Sequence, residues 1–115
     1  MKEMRSISLL ENEIRAIELA VRVLTDEYPV ETIILFGSKS RGEGDEFSDT
    51  DLLIVTGRPL HWREEKAIIE KLFDVGMAFD VIFSPLFASR DEWEGGIFQE
   101  FPVYGDIMRD GALVA

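Results

Sequence analysis

Leu10, Ile14, Ile17, Val21, Leu24 and Tyr28 recur at alternating steps of four and three, the spacing of one helix face. Ser8 and Glu11 have the residue types of a capping box ahead of this run, so an amphipathic helix is predicted over about residues 9–27. Pro29 cannot continue it. Thr32–Phe36 is β-branched or apolar without a helical period, as in a strand covered on both faces, and Gly37 ends it. A polar, glycine-rich loop runs from Ser38 to Phe47, and a second apolar strand follows over Asp51–Thr56, closed by Gly57 and Pro59.

Trp62, Ile68, Ile69, Leu72 and Phe73 return to helical spacing, which predicts a helix over 62–75 with Gly76 as its stop. Met77–Phe83 then alternates: Met77, Phe79, Val81 and Phe83 fall on one face, and Ala78, Asp80 and Ile82 on the other. That pattern reads as a third strand carrying one acid. Ser84 and Pro85 suit an N-cap and first helical position, and Ser89 with Glu92 a capping box, so short helical turns are predicted over 85–94, broken by Gly95 and Gly96. Pro102 opens a last helix through Arg109, Gly111 caps it, and the final Ala-Leu-Val-Ala is a tail or edge strand. The fold class is α/β or α+β: one domain over residues 1–115, with a small mixed sheet flanked by helices.

Composition narrows the reading. A chain of 115 residues that is 46% hydrophobic, with 8 Phe, 2 Trp and 2 Tyr, can build one core, which excludes intrinsic disorder and a second full domain. Zero Cys removes disulfides and thiolate metal sites. No apolar run is long enough to span a bilayer, and the N-terminus mixes acids into its apolar positions, so no membrane segment or signal peptide is expected and the cytoplasm is the expected setting. With 12 Lys and Arg against 23 Asp and Glu, the net charge of −11 repels nucleic-acid backbone, which argues against broad nucleic-acid binding. Such acidity serves solubility unless carboxylates cluster, in which case it makes a cation site.

The candidate chemistry starts where the first strand ends. Gly37 and Ser38 offer a small hydroxyl and free backbone N–H groups where a short helix could begin, an arrangement that seats an anion; a plain N-cap is the alternative. A Walker A loop is excluded, because Glu43 stands where its Lys is required, and the stretch from Asp45 lacks the spacing of an EF-hand. Asp49 and Asp51 lie two apart at the entrance to an apolar strand, so both carboxylates point to one face with Cα atoms roughly 6.5 Å apart. Two like charges there are costly unless a proton or cation offsets them; a turn acid beside a solvated strand-end acid is the bland alternative. Asp80 becomes a third carboxylate of the site if its strand lies beside Asp51, and hard oxygen ligands of this kind suit magnesium or manganese. His61 reads as a surface loop residue. Trp93, Phe98, Phe101 and Tyr104 read as core packing, with base stacking or partner docking as the alternative.

The string GSKSRGEGDEFSDTDLLIV resembles the signature of the minimal nucleotidyltransferases of the DNA polymerase beta superfamily: Gly37 and Ser38, ten intervening residues, then Asp49, Thr50 and Asp51, with Arg41 and Gly42 in the turn and Ser48 before the first acid. With Asp80 as third carboxylate, the leading helix and the closing PVYGDIMRDG, the likeness covers nearly the whole chain. It implies that Gly37 and Ser38 hold nucleotide phosphates, that Asp49, Asp51 and Asp80 bind two Mg2+ ions (Mn2+ being an alternative), and that Asp80 also activates the attacking hydroxyl. Lys39 and Arg41 would neutralise the pyrophosphate leaving group, or stand as solvated loop cations.

Free-standing members of this family resemble antitoxins paired with a small all-helical HEPN-type toxin, some of which transfer AMP from ATP to a toxin tyrosine. The resemblance therefore implies an ATP-using, magnesium-dependent transferase acting on such a partner. A non-catalytic binding antitoxin and a homo-oligomeric transferase for small molecules such as aminoglycosides are the competing readings.

Overall fold

The computed structural model describes residues 1–115 and contains β1 (Lys2–Glu3), α1 (Glu11–Glu27), β2 (Val30–Phe36), β3 (Thr50–Thr56), α2 (Trp62–Phe79), β4 (Phe83–Ser89), α3 (Arg90–Glu94), α4 (Pro102–Asp110) and β5 (Ala112–Leu113). The five strands form one mixed sheet in the order β1-β5-β2-β3-β4. β2 runs antiparallel to β3 and β5, whereas β3 and β4 run parallel.

Helices cover both faces. Ile33, Leu35, Leu52 and Ile54 pack under α1 and α2 against Ile17, Leu24, Ile68 and Leu72. The alternate residues Ile34, Leu53 and Val55 form a second core with Trp93 and Ile107 of α3 and α4. This two-sided burial accounts for the apolar runs of β2 and β3, which lack a polar face. α4 begins at Pro102 and is capped at Gly111, as predicted, and Ser89 and Glu92 form the reciprocal cap of α3. The late aromatics pack together: the Trp93 ring lies 4.8 Å from Tyr104 and 5.9 Å from Phe98.

Five sequence expectations are corrected. α1 starts at Glu11 with Leu10 at its cap, where the Glu13 carboxylate accepts the Leu10 N–H at 2.8 Å; Ser8 plays no capping part. α2 does not stop at Gly76 but continues to Phe79, keeping the phase of Ile68, Leu72 and Val75. Its end is Asp80, in the left-handed conformation with φ 60°, where the Val81 N–H donates back to the Gly76 carbonyl at 2.9 Å. Gly76 is there for room, since a Cβ would sit 2.2 Å from the Val81 carbonyl oxygen. Residues 77–82 are consequently no strand, and Ser84–Pro85 start no helix; Ser84 and Pro85 belong to the edge strand β4, which begins at Phe83 and where a proline's missing N–H costs nothing when it faces outward. The C-terminal Ala112–Leu113 lies inside the sheet between β1 and β2 rather than at its edge.

Candidate functional site

β2 and β3 are in register with Phe36 opposite Asp51, so the chain leaves β2 at Gly37 directly beside the Asp51 carboxylate. A Cβ at Gly37 would fall 2.2 Å from Asp51 Oδ2, and the residue has φ +78°; both demand glycine. The chain then closes a tight turn rather than a helix: the Arg41 N–H donates to the Gly37 and Ser38 carbonyls at 3.3 and 3.2 Å, and the Ser38 carbonyl also accepts from Glu43 at 2.9 Å. The Ser40 hydroxyl ties back to the Gly37 carbonyl at 2.9 Å. The backbone N–H groups of Ser38, Lys39 and Ser40 donate to nothing within the chain, which leaves three successive donors for an anion.

Asp49 and Asp51 share the sheet face on which α3 and α4 pack, with Asp49 exposed and Asp51 half-buried. The Asp51 carboxyl is pushed above the ordinary carboxylate value, first by desolvation and then by the charge of Asp49, with Arg41 opposing. Two carboxylates coupled in this way offer an all-oxygen site suited to a hard divalent cation, whose charge would relieve their repulsion. Arg41 is exposed at the same rim, paired with Glu43 at 2.9 Å and within the field of Asp106 and Asp110 from α4.

Two predicted site residues are placed elsewhere. No group of three or more acidic or histidine side chains converges anywhere, so Asp80, at the end of α2, does not join Asp49 and Asp51. Ser84 stands in register beside Asp51 instead. Lys39 is neither a solvated cation nor open to a leaving group: it is buried, ion-paired with buried Glu13 of α1, and donates to the Asp45 carbonyl at 2.6 Å. Ser84, Asp106 and Asp110 were missed because their proximity depends on β4 register and α4 docking; helical phase carried through residue 79 was the one signal that could have moved the strand to Ser84. His61 caps α2, its Nδ1 accepting the Arg63 N–H at 3.1 Å.

A glycine turn of free N–H groups set against a carboxylate pair, on a mixed sheet between helix layers, is an arrangement of the nucleotidyltransferase class. The chain belongs to the nucleotidyltransferase domain family, whose match spans residues 17–101. It is 35% identical over 57 residues to a candidate protein adenylyltransferase of Methanocaldococcus jannaschii; that match takes in 50% of this chain and 58% of the relative, somewhat over half its length. Its fold is also that of a candidate minimal nucleotidyltransferase, with TM-score 0.61 and 20% identity, covering 90% of this chain and 96% of the other. A chain from the complex of tri-AMPylated Shewanella oneidensis HEPN toxin with MNT antitoxin has TM-score 0.56 and 16% identity, covering 90% of this chain and 71% of the other. No helix is long and apolar enough to cross a membrane.

Proposed function

We propose that the chain transfers AMP from ATP, with magnesium, to a hydroxyl of a partner protein, a tyrosine of a HEPN-type helical toxin, and so acts as an antitoxin. The observation that carries this reading is the placement of Asp51, with Asp49 acting on its charge, against the Gly37 turn and its three free N–H groups. In this reading the turn seats the triphosphate. The acceptor oxygen bonds to the α-phosphorus as the bond to the bridging oxygen of the β-phosphate breaks, which releases pyrophosphate. Bound magnesium would neutralise charge developing on the transferred group. Asp49 and Asp51 would hold that ion, the hydroxyl proton passes to solvent, and Arg41 faces the leaving group from the rim. The name of the M. jannaschii relative supports AMP transfer to protein, and the AMPylated toxin of the Shewanella complex supports the partner. The exposed stripe Trp62, Ile69, Phe73 and Met77 on α2 offers apolar surface to a helical partner.

The test is incubation with ATP and magnesium, alone and with the protein encoded beside it, followed by intact mass of both chains. AMP added to the partner, and abolished by Asp49→Asn with Asp51→Asn, is the expected result; a partner that stays unmodified under the active chain overturns it. One observation favours the non-catalytic antitoxin, namely that Asp80 stands apart from the pair. That reading requires partner inhibition that survives both Asn substitutions without ATP.

A further inference from the structure

Thr50 lies between Asp49 and Asp51 and therefore points to the opposite face of the sheet. It is fully buried, and its Oγ1 is the one buried side-chain nitrogen or oxygen in the chain without a hydrogen-bond partner. Leaving a buried hydroxyl unpaired destabilises the fold, so a ligand that bonds it recovers that cost. Thr50 lines a cleft of about 420 Å³ between the start of α1, residues 46–48 and residues 80–82. The walls are of two kinds. Leu10, Phe47 and Ile82 are apolar and well exposed, while Glu46 and Asp80 are exposed acids that pair with no cation. Glu13, the remaining acid of the cleft, is already neutralised by Lys39, and no basic side chain lines the space.

We propose that this cleft binds the cationic end of an aliphatic chain, an alkylammonium or alkylguanidinium. Its head would bond Glu46, Asp80 and the Thr50 hydroxyl, and its stem would lie on Leu10, Phe47 and Ile82. A bare metal ion fits less well, since no three carboxylate or histidine side chains converge and half the wall is hydrocarbon. The same chemistry can come from a free polyamine or from a Lys or Arg side chain of a partner protein. This site is separate from the transfer face and does not depend on the proposed reaction.

The test titrates the full chain with agmatine, followed by amide chemical shifts and calorimetry. Saturable shifts are expected at Leu10, Ser48, Thr50 and Ile82, and Glu46→Gln and Thr50→Val should each weaken binding about tenfold, the worth of one hydrogen bond to a charged group. Thr50→Val should also leave the melting temperature unchanged or higher, since it removes a polar atom with no partner. Absence of saturable shifts, or agmatine affinity unchanged in both variants, overturns the proposal; Glu46 is exposed, so its variant remains decisive if Thr50→Val fails to fold. Tighter binding of putrescine and agmatine than of N-acetyl-arginine amide assigns the site to free polyamines, and the reverse order assigns it to a partner side chain.

Discussion

Asp51 sits where folding disfavours its charge: desolvation and Asp49 raise its pKa, and Arg41 offsets them only in part. A carboxyl raised on folding holds its proton longer in the native state than in the unfolded chain. It therefore costs stability progressively as pH rises from the ordinary carboxylate range through its own raised value. Asp51→Asn should accordingly raise the melting temperature at neutral pH, with the gain fading in acid, while abolishing transfer; thermal scans at both pH values beside a mass-based transfer assay check the two halves. Gly37→Ala should destabilise the chain by about 2 kcal/mol or more in denaturant melts and remove activity, because its φ of +78° and its contact with Asp51 both exclude a Cβ. At this scale the sequence was informative. Gly37, Asp49 and Asp51 belong to neighbouring strand ends, and the two-residue step between the acids sets their common face wherever the strand lies.

Within α2, both ends carry tests. Arg58 first, then the His61 backbone N–H, hold the Glu64 carboxyl down to about 2. An acid lowered on folding contributes stability above its unfolded value and loses it as pH falls toward about 2, so Glu64→Gln should lower the melting temperature slightly at neutral pH and not at all in strong acid. At the other end, Gly76→Ala sets helix propensity, worth about 1 kcal/mol in favour, against backbone crowding at Val81. The clash should win, giving a net loss of about 1–3 kcal/mol by chemical denaturation. These ends also explain the misplaced third strand. Residues 77–79 satisfy both an alternating and a helical pattern, and in so short a window only continuity with Ile68, Leu72 and Val75 separates them. Asp80 then ends the helix through a left-handed conformation that aspartate tolerates better than most residues, a role its residue type does not announce.

Across the whole molecule, the buried Lys39–Glu13 pair ties the Gly37 turn to α1. Lys39→Met alone should cost about 3–5 kcal/mol in equilibrium unfolding, because it strands a buried carboxylate; adding Glu13→Gln should restore much of that loss. A cation that the sequence offers to a leaving group thus holds the turn in place. The sequence by itself determined α1, β2, β3 and α4, the single mixed sheet between helices, and the Asp49–Asp51 pair beyond Gly37, because each follows from spacings within a turn or a strand. The tertiary structure alone decided that Ser84 rather than Asp80 stands beside Asp51, that Lys39 turns inward, and that β5 enters the sheet interior. Those outcomes depend on strand register and helix docking between segments far apart in the chain, for which local periodicity carries no information.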